Sequence, residues 1–261
     1  MSQNGFLLEI VNLSKNFGGL TAVSDFNLSV RRDEIVSIIG PNGAGKTTLF
    51  NLISRFYKQD SGDILFVSNS INNFSPHQIC NIGIARTFQT TRLFKHLSVT
   101  ENLKVGMHTR TGYRFWDELL NTPKLIKTER NIEKKALNLL DEFDLLSFSD
   151  EMAGNLPYGV QRLVEILRSL NSSPQILMLD EPAAGMNPQE ALHLMEVVEK
   201  IRKKGITVLL VEHNMDVVME ISDRIVVLNY GKKIAEGSVE EIQRNPEVIA
   251  AYLGEDIEDN S

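Results

Sequence analysis

Cysteine is scarce in this sequence, and basic residues are fewer than acidic ones. The single cysteine, Cys80, among 261 residues excludes an internal disulfide and a cysteine-rich zinc pattern. We expect Cys80 to be a small core residue in a reducing compartment. The 27 lysines and arginines are outnumbered by 34 aspartates and glutamates, which gives a formal net charge of −7. Because proteins that bind a nucleic-acid backbone usually present a basic face, the composition argues against a nucleic-acid partner.

Long hydrophobic runs are missing as well. The longest ones, such as EIVSIIG and QILMLD, are the length of strands and fall far short of the ~20 residues that a membrane-spanning helix needs. The N-terminal MSQNGFLLEIVN has no positive region before its short apolar run, unlike a signal peptide. We therefore expect a soluble, cytosolic chain that reaches a membrane only through a partner.

The order of apolar patterns predicts an α/β protein. Short β-rich runs open the chain, and helical and strand segments then alternate, which is typical of a parallel sheet covered by helices. The best-defined core strands are predicted at residues 35–39, 176–179, 207–211 and 225–228. The spacing between about residues 91 and 148 is helical, which predicts an inserted helical lobe. Within this lobe, MHTRTGYRFWDELLNTPK is predicted to be a surface excursion, and the tail GEDIEDNS is predicted to be frayed.

The segment GPNGAGKTT, residues 40–48, carries the strongest functional signal. It matches G-x-x-x-x-G-K-[ST] and lies between a predicted strand and a predicted helix. Its glycines allow the backbone to wrap closely around phosphates. Lys46 supplies positive charge to the β- and γ-phosphates, and the Thr47 hydroxyl can bind Mg²⁺. The strand–loop–helix context favours this interpretation over a glycine-rich turn that matches by chance.

A second signal, ILMLDEP, places two carboxylates at the end of a core strand. Beside a phosphate loop, Asp180 can hold Mg²⁺ through water, and Glu181 can activate the attacking water. A pair of this kind can also cap a helix, but its combination with the phosphate loop indicates catalysis.

Four further features are weaker when taken singly. His213 could reach a γ-phosphate or could be a structural turn residue. Gln89 could orient water or coordinate Mg²⁺, and Phe17 could stack on a base or belong to the core. In NLPYGVQRLVEIL a helix is predicted to begin near Pro157, and its N–H groups would form an anion site over Tyr158 and Gly159.

Six features follow one another along the chain in the order GPNGAGKTT, Gln89, LPYGVQR, ILMLDEP, AAGMNP and VEHN. Together they resemble the ATP-binding subunits of ABC transporters, and the resemblance covers nearly the whole chain. Four stretches make the resemblance more specific: FGGLTAVSDFNL, IARTFQTTRLFKHLSVTEN, LDEPAAGMNP and NPEVIAAYLGE. They are similar to the branched-chain (hydrophobic) amino acid importers, and to the longer of the two ATPase subunits usually found there. The resemblance implies an ABC-type P-loop ATPase with a parallel-sheet RecA-like core, an N-terminal antiparallel β subdomain and a helical lobe. Residues 1–90 and 171–261 would form the core, and about 91–170 the lobe with the signature helix.

The resemblance also implies roles for single residues. Phe17 would stack on adenine, Gln89 would sense Mg²⁺ and the membrane subunit, and Asp180 would bind Mg²⁺ through water. Glu181 would be the general base and His213 the γ-phosphate switch. The phosphates of ATP would lie on Gly40, Pro41, Asn42, Gly43, Ala44, Gly45, Lys46, Thr47 and Thr48.

Two such subunits would enclose two ATP molecules head to tail, with Pro157, Tyr158 and Gly159 facing a γ-phosphate bound to the partner. Pro157 stands where the superfamily usually has serine, Val160 where it has glutamine, and Asn187 where many members have aspartate. The implied partners are membrane permease subunits and a second ATPase subunit, either a paralogue or another copy. A separate binding protein would supply amino-acid specificity. The chain would lie at the cytoplasmic face of the inner membrane, docked through residues 89–107.

ATPase subunits of urea, amide or other polar-solute importers are close relatives, and this function is an alternative. Other classes explain the sequence less well. Soluble ABC ATPases of DNA repair need a long coiled-coil insertion, and the gap here is too short and lacks heptads. Ribosome-type members carry two ATPase halves in one chain, whereas this sequence has one set of motifs. A generic kinase leaves LPYGVQR and VEHN unexplained.

Overall fold

The computed structural model describes residues 5–89, 92–108 and 123–253. The chain divides into two compact units. The sheet unit comprises Met1–Arg86 and Gln175–Ser261, and the helical unit comprises Thr87–Pro174. Most of the predicted surface excursion and the whole tail at 254–261 lie outside the described residues.

Two sheets form the frame of the sheet unit. The antiparallel sheet has the order β2-β1-β4-β5 and consists of β1 (Phe6–Phe17), β2 (Leu20–Arg31), β4 (Ser61–Phe66) and β5 (Asn69–Ser70). The second sheet has the order β10-β9-β3-β8-β7-β6 and is parallel except for the β9–β10 pair. Its strands are β3 (Ile35–Ile39), β6 (Ile84–Arg86), β7 (Ile176–Asp180), β8 (Thr207–Val211), β9 (Arg224–Asn229) and β10 (Lys232–Gly237). The α/β fold and the four predicted core strands are confirmed.

The helices fall into the same two units. In chain order they are α1 (Lys46–Ile53), α2 (Pro76–Ile82), α3 (Val99–His108), α4 (Pro123–Glu142), α5 (Tyr158–Leu170), α6 (Pro188–Lys203), α7 (Met215–Ile221), α8 (Val239–Gln243) and α9 (Pro246–Leu253). Helices α3, α4 and α5 belong to the helical unit, where α3 packs against the other two. Among the helices of the described residues, none combines the length and apolarity needed to cross a bilayer.

The central strands explain why functional residues collect at one edge of the parallel sheet. Every residue of β3, β7 and β8 is buried, as is typical of strands covered on both faces. Strand β8 lies between β3 and β7, and Asp180 pairs in register with Val211. Because these strands are parallel, the segments that follow them emerge side by side.

The prediction for Cys80 is wrong, because this residue is exposed. It lies on α2, a helix of seven residues of which only Ile79 is buried. A helix this short presents little surface to the core, and its neighbouring positions face outwards.

A buried ion pair organises the helical unit. On α5, Arg162 Nη1 donates to Glu165 Oε2 at 2.8 Å, and the two side chains are 0% and 1% exposed. The pair also holds the main chain on either side of Gln89. Arg162 donates to the carbonyl oxygen of Phe88, and Glu165 accepts from the N–H of Arg92 at 3.0 Å. Buried charges are tolerated when they are paired and hydrogen-bonded in this way.

Replacing Glu165 should therefore destabilise the fold strongly. Glu165→Ala leaves Arg162 buried without its counter-charge, which costs about 3–5 kcal/mol of the free energy of unfolding. Glu199→Ala is the control, because its pair with Arg202 is partly exposed, and such pairs contribute less than about 1 kcal/mol. Urea denaturation followed by far-UV circular dichroism measures both effects. Equal losses in the two variants would contradict the structural role of the buried pair.

Candidate functional site

A cleft of about 430 Å³ opens in the sheet unit, beside the start of α1. Residues 42–48 form one side, and the cleft is also lined by Phe17, Glu181 and Tyr230. Its volume lies within the range of small-molecule sites in proteins. The structure thus brings together residues 42–48, Phe17 and Glu181, which the sequence predicted separately.

The phosphate loop is shaped by close contact with neighbouring backbone. At Gly45, which caps α1 with a φ of 103°, a Cβ atom would lie 2.3 Å from the carbonyl oxygen of Ala22. At Gly40, a Cβ atom would lie 2.0 Å from the carbonyl oxygen of Leu228. Only glycine fits these two positions. One side of the loop therefore packs closely against the backbone at Ala22 and Leu228. The loop leads into the N-terminus of α1, where the helix dipole favours anions.

The side chain of Lys46 lies over this loop. Its Nζ donates to the carbonyl oxygens of Gly40 at 2.5 Å and Pro41 at 2.8 Å, and the residue is 7% exposed. These contacts keep a positive charge at the cleft that residues 42–48 line.

Asp180 ends β7 and is tied to α1 through an arginine. Its Oδ2 accepts from Arg86 Nη2 at 2.9 Å, and the two side chains are almost completely buried. Arg86 also donates to Asn51 Oδ1 and Ser54 Oγ, each at 2.8 Å. This arrangement fixes the Asp180 carboxylate relative to the helix that follows the phosphate loop.

The alternative that Asp180 and Glu181 cap the next helix is wrong. Helix α6 begins at Pro188, and its cap is Asn187, whose side-chain oxygen accepts from the N–H of Glu190 at 3.0 Å. Asn187 thus supplies the capping oxygen that an aspartate would supply at this position.

Glu181 adopts a left-handed backbone conformation, with a φ of 46°. Its N–H donates to the carbonyl oxygen of Val211 at 2.8 Å, and its side chain lines the cleft. His213, which is largely exposed, has its Nδ1 3.9 Å from Glu181 Oε2. The register between β7 and β8 therefore places a carboxylate and an imidazole side by side.

Aromatic rings form another part of the cleft wall. Phe17 is 42% exposed, so the alternative of a core aromatic is wrong. Its ring meets that of Tyr57 edge-on, with centroids 5.2 Å apart. Tyr230 also lines the cleft and is 80% exposed. Sequence reasoning missed Tyr230, because it lies in the tight turn between β9 and β10 and belongs to no motif.

The other predicted site residues belong to the helical unit. Pro157 is the cap residue of α5, which begins at Tyr158 as the sequence predicted to within one residue. Tyr158 is exposed and Gly159 is buried. Gln89 lies between the main-chain positions that α5 holds.

Comparisons with known proteins identify the family of this chain. A family model described as "ABC transporter" matches residues 23–184, and one described as "Branched-chain amino acid ATP-binding cassette transporter" matches residues 232–258. The high-affinity branched-chain amino acid transport ATP-binding protein BraF of Pseudomonas aeruginosa is 46% identical over 95% of this chain and 98% of BraF. LivG of Escherichia coli, which has the same description, is 45% identical with the same coverage.

A solved structure is similar over almost the same length. The ADP conformation of an ATP-binding cassette of an ABC transporter superposes with a TM-score of 0.84 at 35% identity, covering 95% of this chain and 99% of the other. The family match exceeds half of the chain, and the relatives extend it to nearly the full length. The chain therefore belongs to the ABC transporter family, as one of the ATP-binding cassettes that bind and hydrolyse ATP.

Proposed function

We propose that this chain powers the import of branched-chain or other hydrophobic amino acids through a separate membrane permease. The observation that carries this proposal is the 45–46% identity to BraF and LivG over 95% of this chain. The names of both proteins state branched-chain amino acid transport. The match of residues 232–258 to the family model of the same transport class supports it independently.

In this proposal, ATP lies in the cleft of the sheet unit. The phosphates follow residues 40–48, where the loop backbone, the α1 N-terminus and the Lys46 ammonium group all favour negative charge. The adenine stacks on Phe17, whose exposed ring lines the same cleft. The cleft volume of about 430 Å³ and the glycine-dependent loop fit a nucleotide.

Glu181 is the proposed general base. It accepts a proton from water while the water oxygen forms a bond to the γ-phosphorus and the bond between that phosphorus and the β–γ bridging oxygen breaks, so that ADP and phosphate leave. His213, whose Nδ1 lies 3.9 Å from Glu181 Oε2, would contact the γ-phosphate. These two groups supply proton transfer and positioning, the usual contributions in phosphoryl transfer.

In the sheet unit, magnesium would be held by the Thr47 hydroxyl and, through water, by Asp180; the family resemblance implies the Gln89 carboxamide as a further ligand. Oxygen donors of this kind suit Mg²⁺, which binds proteins through few side chains and completes its shell with phosphates and water. When bound, the ion would neutralise phosphate charge that develops during hydrolysis.

The helical unit supplies the proposed contacts with other subunits. Pro157, Tyr158 and Gly159, at the N-terminus of α5, would face a γ-phosphate bound to a second ATPase subunit, which is a paralogue or another copy. Since Pro157 has neither a hydroxyl nor an N–H, the N–H groups of Tyr158 and Gly159 would bind that phosphate. Residues 89–107 would dock on the permease at the cytoplasmic face of the inner membrane. A separate binding protein would supply solute specificity.

Uptake measurements test the proposed solute. In a strain that lacks this chain, uptake of radiolabelled leucine should fall and a plasmid copy should restore it, whereas urea uptake should not change. A plasmid carrying Glu181→Gln is the matched control and should not restore leucine uptake. Loss of urea uptake with normal leucine uptake would instead indicate an importer of polar solutes.

Lys46→Ala should weaken ATP binding. Losing a hydrogen bond to a charged group costs roughly 1.5–3 kcal/mol, which corresponds to about a 10- to 150-fold increase in Kd. Lys203→Ala is the control, because that side chain is 72% exposed and lies on α6. Calorimetric titration with ATP measures both constants. An unchanged Kd for the Lys46 variant would place the phosphates elsewhere.

Glu181→Gln should bind ATP normally but hydrolyse it about 10²- to 10⁴-fold more slowly, because the amide cannot accept the proton. The variant should also accumulate as an ATP-bound dimer in gel filtration. Glu196→Gln, at a carboxylate that is 79% exposed, should retain the wild-type rate. Near-normal hydrolysis by Glu181→Gln would exclude Glu181 as the base.

Phe94→Asp should abolish transport and spare ATP binding in solution. The Phe94 ring is half exposed, while its N–H is held by Asn102 Oδ1 at 2.9 Å, so the ring is presented on a fixed backbone. Leu97, the second predicted anchor, is partly buried. Ile249→Asp, at a similarly exposed apolar residue of α9, is the control. Retained uptake in the Phe94 variant would mean that the permease docks elsewhere.

A further inference from the structure

The carboxylate of Glu212 is fully buried, and the mechanism above does not use it. Glu212 directly follows β8 and precedes His213 in the chain. A charged side chain is rarely buried completely unless specific partners compensate it. The position of this carboxylate, directly before His213 in the chain, calls for a physical explanation.

Three backbone N–H groups converge on the two oxygens of this carboxylate. Oε1 accepts from Ala183 at 2.7 Å, while Oε2 accepts from His213 at 2.9 Å and from Asn214 at 3.1 Å. An ionised carboxylate only accepts hydrogen bonds, so it suits a site that offers donors alone. One side chain thereby joins the segment after β7 to the segment after β8.

Both joined segments carry a proposed reacting group. Ala183 is two residues from Glu181, and His213 is itself one of the residues that Glu212 holds. Glu181 has a φ of 46°, a conformation that a residue other than glycine keeps only where its surroundings fix it. Two hydrogen bonds at the end of β8 fix it here. The N–H of Glu181 donates to the carbonyl oxygen of Val211, and the N–H of Ala183 donates to the carboxylate of Glu212.

We propose that Glu212 is a positioning residue for ATP hydrolysis, which sets the Glu181 carboxylate and the His213 imidazole at their fixed separation. Glu181 Oε2 and His213 Nδ1 are 3.9 Å apart, and the bridge through Glu212 connects the backbones that carry them. The inference rests on the proposed roles of Glu181 and His213. Glu212 itself does not contact the substrate.

Glu212→Gln tests this directly, because the amide has nearly the same shape but one acceptor oxygen. Whichever way the amide is turned, its NH₂ group faces at least one backbone N–H. We expect kcat of the chain to fall about 10- to 150-fold, the equivalent of one lost hydrogen bond to a charged group. The Kd for ATP should change less than about 2-fold, because the hydrogen bonds that Glu212 accepts come from Ala183, His213 and Asn214 and not from residues 40–48.

A control variant separates positioning from general stability. Glu34 is also a mostly buried carboxylate that accepts a backbone N–H, from Arg31 at 2.8 Å, but it pairs with Arg224 and does not line the cleft. Glu34→Gln should lower Tm without lowering kcat. If Glu212→Gln and Glu34→Gln lower kcat equally at the same loss of Tm, the proposal is overturned. Should Glu212→Gln fail to fold, Glu212→Asp, which retains the charge, should show the same selective loss of kcat.

A double-mutant comparison completes the test. In a Glu181→Gln background, Glu212→Gln should slow single-turnover hydrolysis less than it does in the wild-type background, because no base remains to be positioned and only the placement of His213 can still be lost. A further loss as large as in the wild-type background would overturn the positioning role. Near-normal hydrolysis by Glu181→Gln alone would instead exclude Glu181 as the base, the proposed role on which this inference rests, so the two failures can be distinguished.

Discussion

Parallel pairing of β7 with β8, and of β8 with β3, is the constraint on which the site depends. Asp180 lies opposite Val211 in the β7–β8 register, and β3 ends at Ile39, one residue before the phosphate loop. Because the strands are parallel and fully buried, each must leave the sheet at the same edge. The Glu181 carboxylate, the His213 imidazole and the loop at residues 40–48 are therefore neighbours in space although the chain separates them widely.

Buried charges then fix the segments that leave this edge. The Arg86–Asp180 pair ties the end of β7 to α1, and in the helical unit the Arg162–Glu165 pair holds the chain around Gln89. A buried ion pair is a poor source of stability compared with apolar packing, but breaking one is costly. Such pairs are suited to specifying one geometry, and here they act on the segments that carry the predicted functional residues.

Sequence patterns predicted the parts of this structure that depend on local or periodic signals. The core strands are continuous apolar runs, and the phosphate loop needs glycine where the backbone approaches Ala22 and Leu228. The exposure of Cys80, the position of Tyr230 and the bridging role of Glu212 depend on which segments pack together, which no single stretch of sequence records. A charged residue directly after the apolar strand β8 was the one available signal for Glu212.

The decisive measurement is a structure of the Glu181→Gln chain with ATP and Mg²⁺. The triphosphate should lie along residues 40–48 and the adenine on Phe17, and residue 181 should hold a water in line with the γ-phosphorus. In a dimer, the α5 N-terminus of the partner should approach the same γ-phosphate. A triphosphate bound outside the cleft, or residue 181 turned away from the γ-phosphate, would contradict the proposed mechanism.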